Sequence, residues 1–223
     1  MLKLASKCFL EFHARSDLTC VHRLRDTVQT LGTVTCALQW IFLMLLGARG
    51  DSYYEYLLKR WLLTNRTETI HRQRYEHAVN GIMSKLIGYS KPNNWTFVGE
   101  WKKNALIPKM DHLVCFLPGV LALGYVNQMP ATHLDLAERL LYSCYQMYKS
   151  MPSGLAPEIV QFSTAQDATT DLSVKPNDAF NILRPETVES LMILYRVTKN
   201  ETYREWGREI FSAFEKHCRV SLQ

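Results

Sequence analysis

Six cysteines are present, but none forms a C-x-x-C pair or a Cys/His cluster at metal-ligand spacing. This argues against a zinc site and against thioredoxin-like chemistry. There is no low-complexity or highly charged tract, and 47% hydrophobic content over 223 residues is enough for one large globular unit. A basic stripe with interleaved aromatics is also missing. The formal charge of +5 is spread over scattered Lys and Arg, so nucleic acid is not an expected partner. Nor is there an uninterrupted apolar run of the ~20 residues that span a bilayer. The run from Thr33 to Ala48, centred on Ile41 to Leu46, is broken by Gln39. It reads as a buried helix, with a displaced signal-anchor core as the alternative. A membrane anchor is therefore not evident. Three N-x-[ST] sequons, beginning at Asn65, Asn94 and Asn200, would suit a secretory protein.

Helical periodicity dominates what is there. Residues 1 to about 40 show it only weakly and receive no assignment. Tyr53, Tyr56, Leu57 and Trp61 make a helical stripe over Ser52 to Leu63, and a second helix, roughly Glu68 to Ile87, follows after a short turn. These two form an antiparallel hairpin. Trp95 to Val98, with Trp101, reads as a short extended segment. A second hairpin joins an apolar helix from about His112 to Val126 to one from Leu134 to Met147, for which Thr132 and Asp135 suggest a capping box. Cys115 and Cys144 lie 15 residues before and 14 after Pro130. In antiparallel helices that symmetry puts them at one level, so they are the expected disulfide; two buried free thiols are the alternative. Glu158 to Phe162 alternates like a strand, and Lys175 to Asp178 reads as a loop. A third hairpin pairs the helix after Pro185 with one from about Glu201 to His217, whose stripe is Tyr203, Trp206, Ile210 and Phe214. Hairpin after hairpin describes an all-α array or toroid with short β-segments in its loops.

The stretch Asn181 to Ser190 concentrates the chemistry. Pro185 suits a first helical position. Glu186 then falls in the first turn, where the helix dipole favours its ionised form, and Glu189 follows at i+3 on about the same face. Two other helix entries carry charged clusters, Arg49-Gly50-Asp51 and Lys109-Met110-Asp111-His112. If the helices stack around an axis with these ends on one side, the three clusters converge into one acidic, Arg-containing pocket. The plainer alternatives are a helix cap for Asp51, a satisfied buried histidine for His112, and solvated surface glutamates for Glu186 and Glu189.

Three segments, in this order and spacing, closely resemble class I α-1,2-mannosidases, glycoside hydrolase family 47: Leu46-Gly47-Ala48-Arg49-Gly50-Asp51-Ser52-Tyr53-Tyr54, Lys109-Met110-Asp111-His112-Leu113-Val114-Cys115, and Leu183-Arg184-Pro185-Glu186-Thr187-Val188-Glu189-Ser190. The Val174-Lys175-Pro176 run and Tyr195-Arg196-Val197-Thr198 are most similar to the endoplasmic-reticulum branch. The resemblance implies an (α/α) barrel of seven helix hairpins with bound calcium. It further implies hydrolysis, with inversion, of terminal α-1,2-linked mannose on high-mannose N-glycans, within N-glycan processing and glycoprotein quality control in the lumen of the endoplasmic reticulum or early secretory pathway. Glu186 would be the general base and Asp51 the second essential carboxylate, on the acid side. His112 and Glu189 would line the sugar subsite, Arg184 would contact it, and Arg49 would bear on branch selection. Cys115 and Cys144 match the family disulfide. Inversion needs two carboxyl groups roughly 6.5–9.5 Å apart with water between them.

The departures from the family pattern shape the remaining expectations. The resemblance covers about Leu46 to Val220, so residues 1–45 are a divergent segment and 46–223 an incomplete catalytic domain of about three hairpins. The upstream glutamate that serves as general acid has no counterpart, and the threonine that ligates calcium is expected beyond Gln223. No metal ligand is therefore expected in this chain, which alone is expected to be inactive. Two other readings stand beside the hydrolase: a lectin-like homologue that binds misfolded glycoproteins for degradation, and a helical scaffold in which Asp51, His112 and Glu186 lie far apart.

Overall fold

The computed structural model describes residues 43–44, 46–47 and 50–220, and the compact unit is Met44–Gln223. Arg49 and most of the apolar run 33–48 lie outside the described residues. Where that run is described, Leu43–Met44 is a two-residue strand (β1) rather than helix.

Helix α1 (Asp51–Leu63) starts from a turn in which the amides of Gly50 and Asp51 both donate to the Gly47 carbonyl. Asp51 in its first turn and Arg60 in its last oppose the helix dipole favourably. Its buried residues are Leu57, Leu58 and Trp61, whereas Tyr53 and Tyr56 are 61% and 58% exposed. The expected stripe therefore holds only in its second half, because Leu58 takes the inward position that the spacing assigned to the tyrosines. Asn65 and Arg66, both in the left-handed region (φ 51° and 65°), turn the chain into α2 (Thr69–Lys85). The Arg66 guanidinium donates to Asn127 Oδ1 at 2.5 Å, tying this turn to the next hairpin.

Short antiparallel strands follow: β2 (Ile87–Tyr89) with β3 (Thr96–Val98), and β4 (Glu100–Lys102) with β5 (Ala105–Ile107). The segment β6 (Lys109–Asp111) pairs with β7 (Ile159–Phe162), which also pairs with β8 (Leu172–Ser173). The expected helix at His112 begins as a 3₁₀ turn, His112–Phe116, before α3 (Leu117–Val126). Pro118, with no N–H to give, fits only the first turn of that α-helix, which moves its start.

Helix α3 is apolar on nearly every side, as a helix surrounded by others must be. It packs against α1, against α4 (Ala131–Lys149) and against α5 (Glu186–Thr198). Leu117 and Leu121 are 1% and 0% exposed, each contributing ~2 kcal/mol by leaving water. The predicted capping box is not formed: extended Pro130 (φ −54°, ψ 147°) precedes α4, Thr132 lies inside the helix, and no side chain caps it. Asp135 instead pairs with Arg139 one turn on, at 2.7 Å. The Cys115–Cys144 disulfide is formed, with its Cα atoms 5.9 Å apart.

In α5 the buried face is Thr187, Ser190, Leu191 and Leu194. Val188 and Met192 on the same helix are 40% and 54% exposed. They look out beside Phe211 of α6 (Thr202–Cys218), itself 63% exposed, so an apolar face is open at this end, as an incomplete toroid implies. Among the described residues the helices α1–α2, α3–α4 and α5–α6 make three successive hairpins.

Candidate active site

The β6–β7 pairing builds one wall of the site. It sets Asp111 opposite Ile159 and lets the His112 amide donate to the Glu158 carbonyl at 2.8 Å. Glu158 is thereby fixed at the strand entry, and its carboxylate takes both Nε and Nη2 of Arg184, the latter at 2.6 Å. Such a planar two-point pair holds the guanidinium in one orientation. Glu158 had no signal in the sequence beyond a strand pattern. The ion pair that reveals its role joins residues 26 apart.

Glu186 is the first residue of α5, and its partly buried carboxyl has one oxygen, Oε2, inaccessible to solvent and without a hydrogen-bond partner. Burial is the largest influence on it, raising its proton affinity above that of an ordinary glutamate, while its backbone hydrogen bond and Arg184 oppose the shift. The carboxylates of Asp51 and Glu158 add to the rise. The helix dipole was expected to keep Glu186 readily ionised; loss of water outweighs it. The same interaction places Asp51, from the start of α1, close enough for its charge to act on Glu186. The charge of Asp111 likewise acts on Arg184.

The turn before Asp51 fits against this wall closely. A Cβ on Gly47 would lie 2.2 Å from Asp111 Oδ2, so only glycine permits the approach. Asp111 also meets Lys109, whose ammonium lies 3.2 Å away and also contacts Glu100. At the far side Glu189 accepts from Lys59 at 3.3 Å, and Lys59 also binds Glu55.

His112 is 1% exposed. Its Nε2 lies 3.0 Å from both Thr187 Oγ1 and the Tyr148 hydroxyl, and burial lowers its pKa to about 4, so it is neutral. In this structure it touches the site through α5 rather than opening onto it. The described residues thus bring Asp51, His112, Arg184 and Glu186 to one region, with Glu189 one turn further along α5. Among the described residues there is no group of three or more His, Cys, Asp or Glu that could hold a metal ion.

A stack of helical hairpins whose helix entries gather carboxylates and an arginine is the framework of helical-toroid carbohydrate hydrolases. The chain belongs to that class through glycosyl hydrolase family 47, whose sequence model matches residues 29–223. It is 51% identical over 176 residues to the human endoplasmic reticulum mannosyl-oligosaccharide 1,2-alpha-mannosidase, an alignment covering 78% of this chain and 25% of that protein. The namesake from Schizosaccharomyces pombe is 43% identical over 192 residues, covering 78% and 37%. Among solved structures, an alpha-1,2-mannosidase from Trichoderma reesei superposes with a TM-score of 0.65 at 25% identity, over 78% of this chain and 39% of that one. An alpha-1,6-mannanase of family 76 from Salegentibacter shares the fold at a TM-score of 0.52 and 12% identity. The chain thus spans between a quarter and about two fifths of the length of these relatives.

Proposed function

We propose that this chain carries the base-bearing part of an inverting mannosidase that removes terminal α-1,2-linked mannose from high-mannose N-glycans. The observation that carries this reading is the carboxyl of Glu186. It sits at a helix tip, is partly withdrawn from water, has one oxygen unengaged, and lies within the field of a second carboxylate, Asp51.

A base that deprotonates water gains from a proton affinity above the ordinary carboxylate range, provided that it stays ionised at working pH. Burial supplies the first condition, and Arg184 beside it supports the second. The carboxyl is only partly buried, so its more open oxygen is the one assigned to take a proton from a water held beside a bound sugar. Asp51 is assigned to the acid side of the reaction. Arg184, clamped by Glu158, presents the remaining N–H groups of its guanidinium to sugar hydroxyls. Glu189 lines the sugar subsite, His112 supports it from behind through Thr187 of α5, and Arg49 bears on branch selection. Calcium belongs to this reading through the family alone, and no step here depends on it. The relatives named as endoplasmic reticulum enzymes support assigning the reaction to that compartment. Among the described residues no helix is long and apolar enough to cross a membrane.

The test is mannose release from a high-mannose glycan by this chain joined to the remaining segments of a family 47 relative, with and without Glu186→Gln, the anomer of the freed sugar being followed by proton NMR. The expected result is release as the inverted anomer, reduced by a factor of ~100 or more in Glu186→Gln. Binding of the glycan without release would favour the lectin-like reading. Neither binding nor release would remove the proposal.

A further inference from the structure

The hydrogen bonds around His112 form a buried set in which Thr187 and Tyr148 have no role in the assignment of site residues. His112 Nε2 contacts Thr187 Oγ1 and the Tyr148 hydroxyl, each at 3.0 Å. The Thr187 hydroxyl also acts on the Tyr148 phenol. All three side chains are 2% exposed or less. They come from three separate elements: the 3₁₀ turn, the last turns of α4 and the first turn of α5. Thr187 directly follows Glu186, and Glu186 is among the charges acting on the Tyr148 phenol.

We propose that the buried circuit of His112, Thr187 and Tyr148 anchors the tip of α5 so that the Glu186 carboxyl is held partly out of water. Thr187 and Tyr148 are then positioning residues for that carboxylate. Polar groups in a dry interior are costly unless each finds its partner, so a fully connected circuit has one low-energy arrangement. A neutral imidazole has a single N–H, and at Nε2 it can only donate or only accept. The two hydroxyls must therefore orient around it in concert. Sliding α5 by a fraction of its rise would break the Thr187–His112 bond, the one that ties α5 to the other two elements. The first residue of a helix has no preceding turn to hold it, so the position of Glu186 follows that of Thr187.

This inference rests on reading Glu186 as the functional carboxylate, but its test does not require turnover. The carboxyl carbon of Glu186 is followed by carbon-13 NMR through a pH titration of the full chain, with Glu186→Gln assigning the resonance. The groups acting on that titration are Arg184, Asp51, Glu158 and Tyr148. Tyr148→Phe and Thr187→Val keep the volume and remove one hydroxyl each. Tyr145→Phe, which loses a hydrogen bond to Glu209 elsewhere on α4, is the control.

The expected result is a Glu186 midpoint that falls toward the ordinary 4.5 in both circuit variants as water reaches the carboxyl, and that stays put in the control. Midpoints unchanged in Tyr148→Phe and Thr187→Val, with melting temperatures lowered as in the control, would overturn the proposal and leave the circuit a structural one. If Thr187→Val does not fold, Tyr148→Phe decides alone, since its ring still fills the site. Loss of mannose release with an unshifted midpoint would fault the positioning role and leave the hydrolase reading intact.

Discussion

Reduction of the Cys115–Cys144 bridge should lower stability by an amount that the chain itself sets. The bridge closes a loop of 29 residues that contains all of α3 and most of the buried face of α4. Treating the bridge as a restriction on the unfolded chain, a loop of this length corresponds to about 3.6 kcal/mol at 25 °C. That is a large part of a total on the order of 5–15 kcal/mol for a domain. The two cysteines are 0% and 1% exposed, so reductant should act only on molecules that have opened, and reduction under native conditions should be slow. The bridge also lies one level below the His112 circuit, since Cys115 follows His112 by three residues and Cys144 precedes Tyr148 by four. Urea denaturation followed by circular dichroism, on oxidised protein and on protein reduced while unfolded, gives the difference directly. The oxidised form should also show the smaller denaturant slope, because its unfolded state exposes less surface. Cys115→Ala/Cys144→Ala should cost a further ~1–2 kcal/mol for the lost sulfur packing. Oxidised and reduced midpoints that coincide within about 1 kcal/mol would refute the reasoning.

Stability should fall as pH drops from 6.5 toward 4. The folded pKa of His112 is depressed to about 4, so between those values the unfolded chain binds a proton that the folded chain refuses. The full effect is on the order of 3 kcal/mol, and His133, also lowered by burial, adds in the same direction. Glu186 has the opposite sign, its raised pKa stabilising the fold at low pH and ceasing to do so as pH rises through it. Urea midpoints measured across this range should flatten in His112→Gln; a slope equal to that of the parent would contradict the assignment. Ser190→Ala should cost about 1–3 kcal/mol, because its buried hydroxyl donates to the Cys115 carbonyl at 2.5 Å and accepts from the Gly119 amide at 2.9 Å. Gly47→Ala should cost about 1–3 kcal/mol by overpacking, since its methyl would meet Asp111 Oδ2 at 2.2 Å. An unchanged melting temperature in either variant would count against the packing described.

Local rules made the hairpins and the Cys115–Cys144 bridge readable without coordinates, and the start of α5 to within one residue, Pro185 being its N-cap rather than its first helical residue. Each depends on residues near in sequence or placed symmetrically about one turn. The same rules misplaced the tyrosines of α1 and the cap of α4, where burial by other elements and an extended Pro130 prevailed. They gathered Asp51, His112 and Glu186 as candidates but did not show what each experiences. Tertiary packing decided that Glu158 clamps Arg184, that burial outweighs the helix dipole at Glu186, and that His112 is enclosed by Thr187 and Tyr148. The physical reason is range. A cap or a turn is decided over a few residues, whereas the water and charge around a carboxyl depend on side chains brought from 130 or more positions away, as Lys59 is to Glu189.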